Sequence, residues 1–197
     1  MKNLMRHKGE HTMNKLIKLP IFLGVCGAAC AGILAGVNAV TAPIIEKAKA
    51  EKANAAYIEL YKDFNVTGTD VVTEDVDNDD LLKAGCSVKA IIINDYVKGV
   101  TYTCSVTGYG GKIEFQVAFA NGKYLGYTDL GNSETNGYGK SVIEQMNGLI
   151  KDLDGSQNLM SNSDYTSAIS GKSITGKALA NSIEVCRVDY MAWYSAQ

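Results

Sequence analysis

An uninterrupted apolar run near the N-terminus constrains this chain more than any other feature. No charged residue occurs between Lys18 and Glu46, and residues 19–40 contain one clearly polar side chain, Asn38. At a rise of about 1.5 Å per residue, roughly 20 apolar residues span the hydrocarbon core of a bilayer. The sequence therefore predicts a transmembrane helix over residues 19–43, which makes the chain integral to a membrane.

The charges on the two sides of this run predict its orientation. Five basic residues and one acidic residue lie in residues 1–18, for a net charge of +4, whereas the sequence that follows the run is mixed. Because basic flanks stay inside, we expect a cytoplasmic basic tail over residues 1–18 and an extracytoplasmic C-terminal domain at the inner (plasma) membrane. Met13 is a second candidate start. A cleaved signal peptide remains the alternative, although Pro43 follows the candidate cleavage site at residues 40–42.

Small residues recur every four positions within the predicted span, at Gly24, Ala28, Gly32 and Gly36. Residues at this spacing share one helix face, and small side chains let another helix approach closely inside a membrane. Glycine and alanine are also common in such spans without any partner. The pattern favours a partner helix from another membrane subunit.

Charge and residue usage exclude several functions for the part outside the membrane. After residue 45 the chain holds 14 basic and 20 acidic residues, and this net charge of −6 argues against a nucleic-acid partner. Both histidines lie in the N-terminal tail, so none is available to the outer domain. Cys86, Cys104 and Cys186 match no zinc or iron–sulfur spacing, and a Cys86–Cys104 disulfide is left open. We therefore expect no metal site and no hydrolytic triad.

The pattern of residues after the span predicts an α+β domain. Residues 44–64 form a predicted juxtamembrane helix whose aromatic side chains pack on the domain, and residues 65–80 form a predicted acidic loop. Alternating apolar residues then predict an antiparallel β-meander, with Asn121-Gly122 as a hairpin signal. Its strands are 87–94, 97–106, 112–120 and 123–130. A short helix over 137–151 and a polar loop over 152–163 follow, so strands and helices segregate as in α+β folds.

A stretch rich in hydroxyl groups and glycine, residues 167–177, precedes a predicted helix over 178–188. Glycines let backbone N–H groups approach a ligand, and a helix start adds partial positive charge, so the junction suits a phosphate. The alternative is a Ser/Gly loop that merely caps the helix.

Three stretches resemble segments of the FMN-binding domain family. Residues 108–113 (Gly-Tyr-Gly-Gly-Lys-Ile) resemble its G-Y-G-G-x-I segment, and residues 133–139 (Ser-Glu-Thr-Asn-Gly-Tyr-Gly) resemble S-E-T-P-G-x-G. Residues 170–175 (Ser-Gly-Lys-Ser-Ile-Thr) resemble the flavinylation motif D-x-x-[ST]-G-A-[ST]-x-T. Ser167 and Lys172 replace that motif's Asp and Ala. The stretches follow the family's order, so the resemblance covers most of the chain from Leu19 to about Tyr190. This range includes most of the extracytoplasmic domain, which is predicted over residues 65–197.

The resemblance implies that FMN is attached covalently, through a phosphoester bond, at Ser173. Thr175 is the second candidate acceptor, since in an extended segment its side chain would share a face with that of Ser173. Tyrosines could stack on the flavin ring, and Glu134 and Thr135 could bond to its polar groups. The other residues implied to bind FMN are Ser170, Gly171, Tyr109, Gly110, Gly111, Gly137 and Tyr138.

This layout resembles that of two members of the family, the G subunit of Rnf ion-translocating complexes and the C subunit of the sodium-pumping NADH:quinone reductase. The resemblance implies an electron-relay subunit in an Rnf-type ferredoxin:NAD oxidoreductase, with other membrane subunits and a flavin transferase as partners. The alternative is a membrane-anchored binding or scaffold module that keeps the fold but carries no covalent flavin. The replacements at Ser167 and Lys172 keep this alternative open.

Overall fold

The computed structural model describes residues 15–197, except for the side chains at positions 15–17, 49, 50, 54 and 68. Most of the predicted basic tail, with both histidines, lies outside the described residues. The chain divides into two compact units, Met1–Ala48 and Lys49–Gln197.

Helix α1 (Lys15–Leu60) contains the apolar run. It is long and apolar enough to cross a membrane, a property that a signal sequence near an N-terminus shares. The run was expected to end at Pro43, but Pro43 lies inside the helix. Proline removes one backbone donor from a helix. Two residues before Pro43, the Thr41 hydroxyl donates to the Val37 carbonyl oxygen at 2.9 Å. This side-chain hydrogen bond is an additional bond to the backbone of the same helix.

The second unit is built on a five-stranded antiparallel sheet in which every strand pairs with its neighbours in sequence. The strands are β1 (Val71–Asp75), β2 (Cys86–Ile93), β3 (Lys98–Thr107), β4 (Lys112–Ala120) and β5 (Lys123–Asn132). The four predicted strands and the hairpin turn are confirmed, and Asn121 and Gly122 adopt φ of 49° and 78°. The prediction of a loop over 65–80 was wrong for β1, an exposed edge strand paired with β2.

Four helices complete the second unit: α2 (Asp79–Lys83), α3 (Gly139–Ile150), α4 (Ser163–Ala168) and α5 (Ser173–Ser195). Short 3-10 helices cover Lys62–Phe64, Gly68–Asp70 and Leu159–Ser161. The α+β class is confirmed. The predicted polar loop over 152–163 includes the last of these turns, where Asn158 and Asn162 side chains accept backbone N–H bonds. Helix α5 begins five residues earlier than the predicted start at residue 178, inside the hydroxyl-rich stretch.

One face of the sheet packs on helices α3 and α5. Ile113, Phe115, Val117 and Phe119 alternate along β4 and are all buried in this core. Phe119 stacks on Tyr190 of α5, with ring centroids 5.0 Å apart. The Tyr190 hydroxyl accepts the Gly122 N–H at 2.8 Å. These contacts fix α5 against the β4–β5 hairpin.

The opposite face of the sheet packs on aromatic side chains from residues 57–64. Tyr57 and Tyr61 are buried against alanines and isoleucine of β2 and β4. The Tyr61 hydroxyl donates to the Phe119 carbonyl oxygen at 3.1 Å and accepts from Thr101 at 3.2 Å. A Cβ at Gly99 would lie 2.7 Å from the Tyr61 ring, so glycine makes room for this packing. The predicted packing of these aromatics on the domain is confirmed.

Candidate functional site

The turn between β3 and β4 places Tyr109 at the surface. The Gly108 N–H donates to the Gly111 carbonyl oxygen at 2.8 Å, which closes the turn, and Gly111 adopts φ +136°. A side chain at that φ would be strained, so the turn requires glycine there. The Tyr109 side chain is 75% exposed. The turn therefore offers an aromatic ring to a ligand.

Glu134 packs against this turn. Its carboxylate is buried and accepts the Gly110 N–H at 2.9 Å through Oε1. A Cβ on Gly108 would approach Oε1, and a Cβ on Gly139 would approach Oε2, in both cases to well under 3.0 Å. These glycines are needed because the carboxylate occupies the space that their side chains would take.

The loop between β5 and α3 presents a second exposed aromatic ring. The Tyr138 and Lys140 N–H groups donate to the Thr135 carbonyl oxygen at 3.2 and 3.4 Å, and Gly137 adopts φ +79°. The Tyr138 side chain is 65% exposed. This loop thus folds into a compact turn that ends at the start of α3.

The junction between α4 and α5 builds an open helix N-terminus. Gly171 adopts φ +75°, Lys172 precedes the helix, and no side chain caps it. The Tyr165 hydroxyl donates to the Gly176 carbonyl oxygen at 2.6 Å, and burial raises the pKa of Tyr165, so it remains a protonated donor. Gly176 also packs so closely on Ile169 that a Cβ would clash. These contacts hold the first turn of α5 in place.

Ser173 and Thr175 point to different environments, which corrects one expectation. An extended segment was predicted here, but both residues lie in the first turn of α5, where positions two apart do not share a face. Ser173 is exposed, whereas Thr175 is 1% exposed and its Oγ1 accepts the Tyr109 N–H at 3.2 Å. Thr175 thus ties the β3–β4 turn to the helix and is almost fully buried.

The three sequence stretches meet around one cavity of about 500 Å³. This volume lies within the range of about 300–1,000 Å³ that is usual for small-molecule sites. The cavity is lined by Tyr109, Thr135, Tyr138, Gly139, Gly171, Lys172, Ser173, Ile174 and Thr175.

The predicted site residues fall into two groups around this cavity. Six of them line it, as given above, and the other five do not: Ser170, Gly110, Gly111, Glu134 and Gly137. Ile174 also lines the cavity, and sequence reasoning gave it no role there. The sequence held a hint of this, because Ile174 is a large apolar residue between two hydroxyl residues. In the structure its side chain is 58% exposed.

The cavity combines groups that suit a phosphate with groups that suit a flat ring. The uncapped start of α5 leaves backbone N–H groups without intrahelical partners, and the Lys172 side chain adds a positive charge. Exposed side chains of Tyr109, Tyr138 and Ile174 stand around the same opening. Glu134 Oε2 is buried and has no hydrogen-bond partner among the described residues. The arrangement can hold an aromatic ligand that carries a phosphate.

Comparison with known families agrees with this chemistry. A family model described as the FMN-binding domain matches residues 108–187, which include all three stretches and the first part of α5. No curated protein sequence matches the chain. The family match supports a flavin-binding protein.

Proposed function

We propose that this chain is a membrane-anchored flavoprotein that relays electrons through FMN joined to Ser173, as a subunit of an Rnf-type ion-translocating complex. The observation that carries the proposal is the cavity of about 500 Å³ in which the three stretches meet at the start of α5. FMN supplies the electron-transfer chemistry, and the protein supplies attachment and orientation.

Attachment at Ser173 follows from its exposure and its position. Its hydroxyl lies in the cavity wall at the first residue of α5, where free N–H groups and the helix dipole favour a phosphate. A flavin transferase that uses FAD would form a bond between Ser173 Oγ and the phosphorus of the FMN half. The pyrophosphate bond breaks, AMP leaves, and the hydroxyl proton is lost. Lys172 would offset the charge of the phosphoester that remains.

The remaining cavity residues would orient the ring. Tyr109 and Tyr138 come from two different loops and are 75% and 65% exposed, so each can stack on a ring or bond to its edge. Thr135 is the other polar side chain on that side of the cavity. Glu134 would orient the ring through Tyr109, because its carboxylate accepts a hydrogen bond from the Gly110 N–H and so fixes the turn that carries Tyr109.

Within the proposed complex, the chain would depend on other subunits to bind the electron donor and acceptor. The chain holds no cysteine spacing for an iron–sulfur cluster and no dinucleotide-binding glycine fingerprint, so ferredoxin and NAD would bind other subunits. The small-residue face at Gly24, Gly32 and Gly36 is open, because a Cβ added at any of these glycines would meet no side chain or other element of the described residues within 4 Å. A helix of a partner membrane subunit would pack there.

Flavin that survives denaturation is the expected result for the purified protein. The full chain, produced with an active transferase, should be yellow and should keep its flavin fluorescence after precipitation in acid, because a phosphoester bond does not depend on folding. A colourless chain from the same cells would favour the scaffold module. Colour that is lost on denaturation would support FMN binding and contradict the covalent link.

A reporter fused after Gln197 should be active only outside the cytoplasm. The reason is the net charge of +4 that precedes the apolar run, which is expected to remain inside. N-terminal sequencing of the membrane-bound chain should find residues 19–43 still present. Cleavage near Ala42, or a reporter active only in the cytoplasm, would contradict this orientation or the retained span.

A further inference from the structure

Three buried cysteines meet in the core between the sheet and helix α5. Cys86 opens β2 and is the cross-strand partner of Cys104 in β3, while Cys186 lies in α5. The Cys186 Sγ is 3.2 Å from the Sγ of Cys86 and 3.6 Å from that of Cys104. All three sulfur atoms lie within 4.8 Å of one another, and each residue is at most 1% exposed.

The spacing of the sulfur atoms suits a tetrahedral metal ion. Bonds of about 2.3 Å from a zinc ion to sulfur place two thiolate ligands about 3.8 Å apart. The separations of 3.2 and 3.6 Å between these sulfur atoms require only small side-chain adjustments to reach this value. A disulfide would use two of the sulfur atoms and leave the third buried beside it, whereas a metal ion uses all three.

Ser182 supplies an independent indication that a ligand belongs here. It lies one turn before Cys186 on the same face of α5 and is 2% exposed. Its Oγ has no hydrogen-bond partner among the described residues. The same hydroxyl lies near the thiols of Cys86 and Cys104 without a hydrogen bond to either. A buried polar group without a partner thus stands beside the sulfur cluster.

Charge favours a divalent ion over a monovalent one. Three thiolates with a divalent ion and a neutral serine hydroxyl carry a net charge of −1, while a monovalent ion would leave −2 in a buried position. Asp189, nearly one turn further along α5, is paired with Lys89 at 2.6 Å and adds no net charge. Zinc prefers sulfur ligands and four-coordinate geometry, which are the ligand type and number that these residues offer.

An ion could reach the cluster from an adjacent cavity of about 930 Å³. Its wall includes the chain neighbours of the three cysteines, Gly85, Ser105 and Val185, together with Ser182 itself. The cluster is thus buried but lies next to an open surface cavity.

We propose that Cys86, Cys104 and Cys186, with Ser182 Oγ as the fourth ligand, bind a zinc ion that ties helix α5 to strands β2 and β3. Binding replaces the thiol protons by the metal ion and changes no oxidation state. The ion would fix the helix whose first residue lines the cavity, and the site does not depend on whether FMN is bound.

Cobalt substitution tests the site directly. The full chain is produced in a host without a flavin transferase, so that no flavin absorbance overlaps, and is purified in detergent under reducing conditions. One Co²⁺ per chain should produce sulfur-to-cobalt charge-transfer absorbance and the intense visible bands of tetrahedral thiolate coordination. One equivalent of Zn²⁺ should remove both. Ser182→Ala should keep the fold and weaken Co²⁺ binding on the order of 10-fold.

The two cysteines of the apolar run provide a control for the cobalt experiment. A Cys26→Ser/Cys30→Ser double variant should bind Co²⁺ as the wild type does, because both thiols lie in the apolar run, whereas Cys186→Ser should lose the charge-transfer band. Wild-type protein without that band, or equal binding by Ser182→Ala, would overturn the proposal as stated. A chain from native membranes that is lighter by two hydrogen atoms would show a disulfide instead.

Discussion

Replacing Ser173 by alanine is expected to abolish covalent FMN attachment completely. Ser173 is the exposed hydroxyl in the cavity wall at the first residue of α5, and the first turn of the helix offers its N–H groups to the phosphate. Thr175 cannot take over, because it is buried and its Oγ1 accepts the Tyr109 N–H. Mass spectrometry of the peptide spanning residues 170–190 should therefore show the FMN mass in the wild type and none in Ser173→Ala.

Matched variants separate loss of the acceptor from loss of the fold. Ser173→Thr keeps a hydroxyl at the position and should keep the FMN mass. Ser170→Ala removes a nearby exposed hydroxyl that does not line the cavity, and it should leave attachment unchanged. An FMN mass that persists in Ser173→Ala but disappears in Thr175→Ala would move the acceptor and contradict the geometric argument.

Gly139→Ala is expected to destabilise the domain by about 3 kcal/mol, a large effect for one methyl group. Its Cβ would clash with Glu134 Oε2 and would lie 2.7 Å from Thr175 Oγ1. Either the buried carboxylate moves and loses its bond from Gly110, or the start of α3 moves away from α5. Thermal unfolding of the full chain in detergent should show a melting temperature lower by roughly 10 °C. FMN attachment should fall as well, because the cavity wall is displaced.

Gly148→Ala is the matched control in the same helix. Apart from the backbone of its own helix, no atom of the described residues lies within 4 Å of a Cβ at Gly148. The change therefore relieves the cost of glycine in a helix and should stabilise the domain by up to about 1 kcal/mol. Equal stability of Gly139→Ala and the wild type would show that Glu134 is not held as the structure has it.

The strands and the hairpin could be predicted because their signals are local. Residues 112–120 alternate between the two faces of β4, and Asn121-Gly122 favours a tight turn in almost any context. Strand β1 could not be predicted in this way. It ends in Thr-Glu-Asp, and charged side chains suit an exposed edge strand that depends on its pairing with β2.

The sequence predicted which three stretches form the candidate site but not how their residues are arranged in space. The three stretches identified the ligand chemistry, yet the buried position of Glu134 depends on glycines contributed by two separate loops. The cysteine cluster was missed for a similar reason. Cys186 is 100 residues from Cys86 and 82 from Cys104, so no local spacing pattern could reveal that the fold brings them together.

The order of the sheet has a consequence for how the protein matures. Each strand pairs with its sequence neighbour, so the sheet has low contact order and can form early, as the chain emerges. The proposed acceptor, Ser173, is different, because it opens a helix of 23 residues that must dock on β3 and β4 from a distant part of the chain. A transferase that recognises the proposed cavity would therefore act only after this helix has docked. Modification would thus mark only molecules whose domain has folded.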